Sequence, residues 1–124
     1  MVPLRWLSGS GDDERAPGPA GPQSTRFLSA SQASQLGRAM REVVTQGNGR
    51  ALRAHQVPIA GKTGTAEVSE APAHSWFTGF APYGSGERKI AFAVLIENAG
   101  YGARAAAPVA GELVAAARDI GLIK

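Results

Sequence analysis

Ile59-Ala60-Gly61-Lys62-Thr63-Gly64-Thr65-Ala66-Glu67 gathers one cation, two hydroxyls and two glycines into positions 61–65. Such a stretch is suited to holding an anion. Lys62 supplies charge, Thr63 and Thr65 supply donors, and the glycines let a ligand approach the backbone. Whether the stretch opens a helix or lies on a strand decides the fold. A phosphate-binding loop, Gly-x-x-x-x-Gly-Lys-Ser/Thr, opens a helix, and Gly61-Lys62-Thr63 matches its end. Its first glycine should be residue 56, which is Gln56, and Val57-Pro58-Ile59-Ala60 between them is apolar and stiffened by proline. Gly64 and the proline-bearing sequence after Glu67 also oppose a helix. A nucleotide-binding protein is therefore the weakest reading, and Val57 to Val68 reads as a strand.

Two further strands follow. Trp76 to Phe80 is aromatic and ends at Pro82. Lys89 to Glu97 places Ile90, Phe92, Val94 and Ile96 on one face and Ala91, Ala93 and Leu95 on the other. Both faces are apolar, which predicts a central strand or one covered on both sides. Tyr83-Gly84-Ser85-Gly86-Glu87-Arg88 suits a hairpin joining these two strands antiparallel.

Helices flank the strands. Ser29 or Ser31 can cap the first, with Gln32 three residues after Ser29 as in a capping box. Leu36, Met40 and Val43 or Val44 form its apolar stripe, and Gly47 is its stop. The second runs from about Ala105 to Ile120. Pro108 belongs in its first turn, Val109, Leu113, Ala117 and Ile120 form its stripe, and Gly121 ends it. Helix, three strands, helix predicts an α+β fold, with helices flanking an antiparallel sheet.

Composition bounds the rest. The 124 residues suit one domain. Thirteen Lys plus Arg against ten Asp plus Glu leave +3. The basic residues are spread along the chain, which argues against a nucleic-acid partner. With no cysteine, disulfide frameworks, Cys-based zinc sites and Cys nucleophiles are excluded. His55 and His74 have no metal-binding spacing, so neither a metal nor a cofactor is expected. The longest apolar run, Ile90 to Ile96, is far short of a membrane span, and the N-terminus has no signal-peptide pattern. Ser8 to Ser24 is dominated by turn formers and charges, including Asp12-Asp13-Glu14, and reads as an exposed loop.

Lys-Thr-Gly on a strand lining a cleft also serves serine acyl-transfer enzymes that act on penicillins. Ala60-Gly61-Lys62-Thr63-Gly64-Thr65-Ala66-Glu67, then His74-Ser75-Trp76-Phe77-Thr78-Gly79-Phe80-Ala81-Pro82, then Lys89-Ile90-Ala91-Phe92-Ala93-Val94-Leu95-Ile96-Glu97-Asn98 resembles the C-terminal part of a bacterial penicillin-binding protein transpeptidase domain. This is the serine D,D-transpeptidase and β-lactamase-like superfamily. Leu36 to Val44 resembles the family's segment before Lys-Thr-Gly, while Gly47-Asn48-Gly49 stands where the family usually has Gly-Thr-Gly. The resemblance runs from about Leu28 to Ile120.

The resemblance implies a function and roles. The family cross-links peptidoglycan by attacking the D-Ala-D-Ala end of a stem peptide through a serine ester. Lys62 would help place the substrate carboxylate and bias the protonation of the nucleophile's network. Thr63 and Thr65 would donate to that carboxylate. The backbone N–H of Thr65 would form half of the oxyanion hole, and Gly64 would keep the strand open to substrate. Trp76 and Phe77 would begin the neighbouring strand and pack behind the site. His74 stands either at the cleft entrance or as a solvated histidine at a strand start. Glu67 either pairs with Lys62 or faces solvent. Strict alternation sets Lys62 and Gly64 on one face and Thr63 and Thr65 on the other, so a shared cleft requires the strand to form its rim.

The family's Ser-x-x-Lys nucleophile motif and its Ser-x-Asn motif are both absent. Ile59, Gly86 and Gly121 stand three residues before the lysines, and Gln46 and Ile96 stand two before the asparagines. No catalytic residue is therefore expected in this chain, and both motifs are expected upstream of Met1. The expectation is a C-terminal fragment, inactive alone: an extended segment and Gly/Pro-rich loop over 1–28, and a partial transpeptidase domain over 29–124. Its partners by resemblance are the stem peptide, β-lactams and the upstream part of the domain. Its parent's place is the cell envelope, at the outer face of the cytoplasmic membrane or in the periplasm. The alternative is a non-catalytic binding or structural module that reuses the same sheet.

Overall fold

The structure, a computed structural model, describes residues 25–84, 86 and 88–124. The expected segment over 1–28 therefore lies almost wholly outside the described residues, as does Asp12-Asp13-Glu14. Helix α1 (Ala30–Thr45) is followed by a 3-10 turn (Arg50–Leu52), strands β1 (Ala60–Val68), β2 (Ala71–Ala81) and β3 (Ile90–Ile96), and helix α2 (Ala106–Asp119). The strands form one antiparallel sheet in the order β1-β2-β3. This is the expected α+β architecture. No helix opens at Gly61-Lys62-Thr63, so the nucleotide-loop reading fails in the structure as well.

Helix α1 starts where its local chemistry dictates. Ser29 Oγ accepts from the Gln32 N–H at 3.1 Å, and Gln32 Oε1 accepts from the Ser29 N–H at 2.8 Å. This reciprocal pair satisfies two N–H groups that a helix start leaves without partners. The helix ends at Gln46, and the Gly47 N–H donates to Glu42 and Val43.

The β1–β2 hairpin turns through Ser69 and Glu70, with Glu70 in the left-handed region at φ 59°. Strand β2 begins at Ala71 rather than at Trp76, because Val68 already pairs with Ala71. Pro72 and the small residues around it conceal this start in the sequence. A Cβ at Gly61 would strike the Phe77 ring and the Thr78 carbonyl. That glycine is what lets the Phe77 ring lie against β1.

The core sits between the sheet and the helices. Phe77 and Ile59 are fully buried with Val44 of α1, Val114 of α2 and Ile123. Phe77 and Phe92 stack with ring centroids 6.1 Å apart. Helix α2 buries Ala106, Ala107, Ala110, Gly111, Val114 and Ala117. The expected stripe is thus corrected: Val109, Leu113 and Ile120 are exposed, and only Ala117 of that set is buried. Small side chains let the helix axis approach the sheet closely, and the large ones turn outward. Leu36 on α1 is likewise exposed, while Gly37 is buried against the Phe80 ring.

The expectation that β3 is central or covered on both faces is also corrected. Among the described residues it pairs with β2 alone and stands at the sheet edge, and Phe92 and Val94 are buried while Ala91, Ala93 and Leu95 are exposed. Its apolar second face has no cover among the described residues.

Candidate functional site

The Lys-Thr-Gly stretch lies on β1, whose far side is an open sheet edge among the described residues. The register sets Lys62 opposite Thr78, Thr63 opposite Phe77, Gly64 opposite Trp76 and Thr65 opposite Ser75. Lys62, Gly64 and Trp76 therefore share one face. Thr63 and Thr65 share the other, with the buried Phe77 and Ser75.

Backbone direction shows which polar groups of β1 face its open edge. A Cβ built on Gly102 would lie 2.5 Å from the carbonyl oxygens of both Gly64 and Trp76, and 3.0 Å from the Gly64 nitrogen. One point can sit that close to both oxygens only if the two residues turn their polar groups toward each other across the ladder. Alternation then turns the N–H and C=O of Thr63 and Thr65 to the open edge. Lys62 Nζ donates to the Thr63 carbonyl at 2.6 Å, which holds its charge at that same edge. Lys62 and Thr65 are exposed, and Thr63 is buried. A cationic head and outward-facing N–H groups along an open strand can bind an extended peptide with an anionic end.

Trp76 is half-buried, and a Cβ on Gly64 would touch its Cβ at 3.2 Å. It flanks the edge on the Lys62 face. His74 stands opposite Ala66, half-buried. Its Nδ1 accepts from the Asn98 N–H at 3.0 Å, while Asn98 Nδ2 donates to the Pro72 carbonyl at 2.8 Å. His74 therefore ties the β1–β2 hairpin to the loop after β3. Glu67 is exposed and does not pair with Lys62. Among the described residues the ion pair found is Arg118–Asp119, at 3.1 Å. No group of His, Asp or Glu among the described residues is placed to hold a metal.

Two residues around the strand escaped sequence reasoning. Ser75 is fully buried on β2, where its Oγ donates to the Tyr101 carbonyl at 3.1 Å and accepts from the Ala106 N–H at 3.0 Å. Its signal was a lone hydroxyl at an inward position of an aromatic strand. His55 accepts from the Val57 N–H at 3.0 Å through Nδ1 and donates to the Gly111 carbonyl at 2.9 Å through Nε2. It joins the approach to β1 to helix α2.

The model of the penicillin binding protein transpeptidase domain matches residues 19–115. The chain belongs to this family. The penicillin-binding transpeptidase match takes in α1, the whole sheet and most of α2. The chain is 35% identical over 105 residues to the peptidoglycan D,D-transpeptidase MrdA of Haemophilus influenzae, covering 70% of this chain and 16% of that protein. It is 40% identical over 83 residues to the MrdA of Acinetobacter baumannii, covering 55% and 12%. The D,D-transpeptidase domain of a peptidoglycan glycosyltransferase from Eggerthella lenta superposes with a TM-score of 0.60 at 33% identity, covering 74% of this chain and 21% of that one. The chain thus spans less than a quarter of the length of each of these relatives. No helix among the described residues is long and apolar enough to cross a membrane.

Proposed function

We propose that this chain carries the substrate-carboxylate strand of a peptidoglycan D,D-transpeptidase and binds the D-Ala-D-Ala end of a stem peptide along β1. The observation that carries this reading is the Lys62 ammonium held at the open edge, beside outward-facing backbone of Thr63 and Thr65. Lys62 attracts the terminal carboxylate, and the hydroxyls of Thr63 and Thr65 donate to it. Gly64 leaves room for the peptide to lie alongside. The Thr65 N–H faces the position where an oxyanion would develop, and so offers one of the two donors such a site needs. Trp76 bounds the site on the Lys62 face, with His74 farther along the same hairpin. β-Lactams bear a carboxylate that fits the same donors.

The acyl-forming serine is not among these residues. The sequence has neither Ser-x-x-Lys nor Ser-x-Asn, so in this reading the chain binds but does not acylate. It works as the C-terminal part of a transpeptidase domain whose nucleophile lies on other residues, with 29–124 as that partial domain. The similarity to MrdA proteins supports a cell-envelope location. The test is titration of the 124-residue chain with N-acetyl-D-Ala-D-Ala, followed by backbone amide NMR. Shifts should centre on residues 62–65 and weaken about tenfold in Lys62→Ala, the size expected for losing one charge-assisted contact. An unchanged spectrum through that stretch would refute the assignment.

A further inference from the structure

We infer that Gly102 is a positioning residue for Thr65: it wedges the loop before α2 against the Lys-Thr-Gly strand and fixes the Thr65 hydroxyl as an outward donor. The inference rests on the reading of the 62–65 edge as a carboxylate site. The Gly102 N–H donates to Thr65 Oγ1 in a long bond of 3.4 Å. A hydroxyl that accepts an N–H keeps its own hydrogen for another acceptor. The exposed Thr65 is thus left ready to donate to an anion.

Gly102 is held firmly enough to do this. Its carbonyl accepts from the Ala107 N–H at 3.0 Å, in the first turn of α2. The adjoining Tyr101 carbonyl accepts from Ser75 Oγ at 3.1 Å and from the Arg104 N–H at 3.0 Å. On the strand side there is no room for a side chain. A Cβ at 102 would sit 2.5 Å from two backbone carbonyl oxygens, and neither can move aside without shifting β1 or β2. Glycine is therefore required at 102 by close approach, and a larger residue would lift the loop away from Thr65.

The test is amide hydrogen exchange at Gly102 in the full chain. In Thr65→Val, which keeps the side-chain shape and removes the acceptor, exchange of the Gly102 amide should quicken about fivefold, the effect of one net hydrogen bond. In Thr65→Ser it should return to the wild-type rate. An unchanged rate in Thr65→Val would overturn the inference. In Gly102→Ala, the three-bond couplings across Thr65 χ1 should change from those of one rotamer to averaged values, and an unchanged single rotamer would also overturn it. Thr65→Val tests the contact even if Gly102→Ala does not fold. Titration of the wild type with N-acetyl-D-Ala-D-Ala separates the two claims. No shift at 62–65 beside the predicted exchange pattern would remove the carboxylate reading and leave the hold of Gly102 on Thr65 standing.

Discussion

Ser75 on β2 caps helix α2 at Ala106, 31 residues further along the chain: its buried Oγ accepts the Ala106 N–H at 3.0 Å. The helix has no cap of its own, since Ala105 precedes it. One strand hydroxyl thus satisfies a donor that the helix start leaves open. Ser75→Ala would leave the buried Ala106 N–H without this partner and remove one of the donors to the Tyr101 carbonyl. The expected loss is about 1–3 kcal/mol, read as a fall in thermal midpoint of roughly 4–8 °C per kcal/mol for a domain of this size.

Phe77 is the keystone of the sheet, fully buried and stacked on Phe92. Phe77→Ala should cost about 3–5 kcal/mol. That is a large part of the roughly 5–15 kcal/mol that holds a domain together. Gly61→Ala attacks the same ring from β1 by overpacking and should cost about 1–3 kcal/mol. Urea unfolding of each variant measures both.

The two faces of β3 should respond oppositely. Val94→Ala removes buried methyl groups and should cost about 2 kcal/mol. Leu95→Lys, on the exposed face, should change the chain's stability by less than about 0.5 kcal/mol. Equal and large losses at both positions would mean that the second face is covered in solution. Urea midpoints of the two variants give the comparison.

His55 should matter for stability rather than for binding. It joins Val57 to Gly111 through both ring nitrogens. His55→Ala should lose about 1–3 kcal/mol while leaving the amide shifts that N-acetyl-D-Ala-D-Ala induces at residues 62–65 in place. Denaturation and the peptide titration on the same variant separate the two effects.

How far the sequence could be read depended on how local each feature is. The α1 start was legible because Ser29 and Gln32 make it between themselves. The Lys62–Thr65 strand and the antiparallel pairing of β2 with β3 were legible from glycine placement and alternation. The buried face of α2 was not, because counting large apolar side chains favours Val109, Leu113 and Ile120, whereas packing on the sheet selects alanines. The apolar second face of β3 looked like core and is exposed among the described residues. For the candidate site, Lys62 to Thr65 could be nominated from sequence, but Gly102 could not. It reaches Thr65 across 37 residues, and only the folded chain brings them together.

The absence of Ser-x-x-Lys from the sequence gives its own prediction. Incubation with a labelled penicillin followed by intact-mass measurement should leave the mass of the 124-residue chain unchanged, because no Ser-x-x-Lys is present to form the acyl ester. A stable adduct of one penicillin per chain would mean that another residue acts as nucleophile.

Recognition of a peptide's terminal carboxylate by the β1 edge is best probed with a matched pair of ligands. Amide NMR of the chain with N-acetyl-D-Ala-D-Ala should shift residues 62–65. The same peptide with its C-terminus amidated, which removes the charge that Lys62 and the threonine donors meet, should shift them at least about tenfold more weakly. Equal shifts from both peptides, or shifts confined to residues away from β1, would contradict the account.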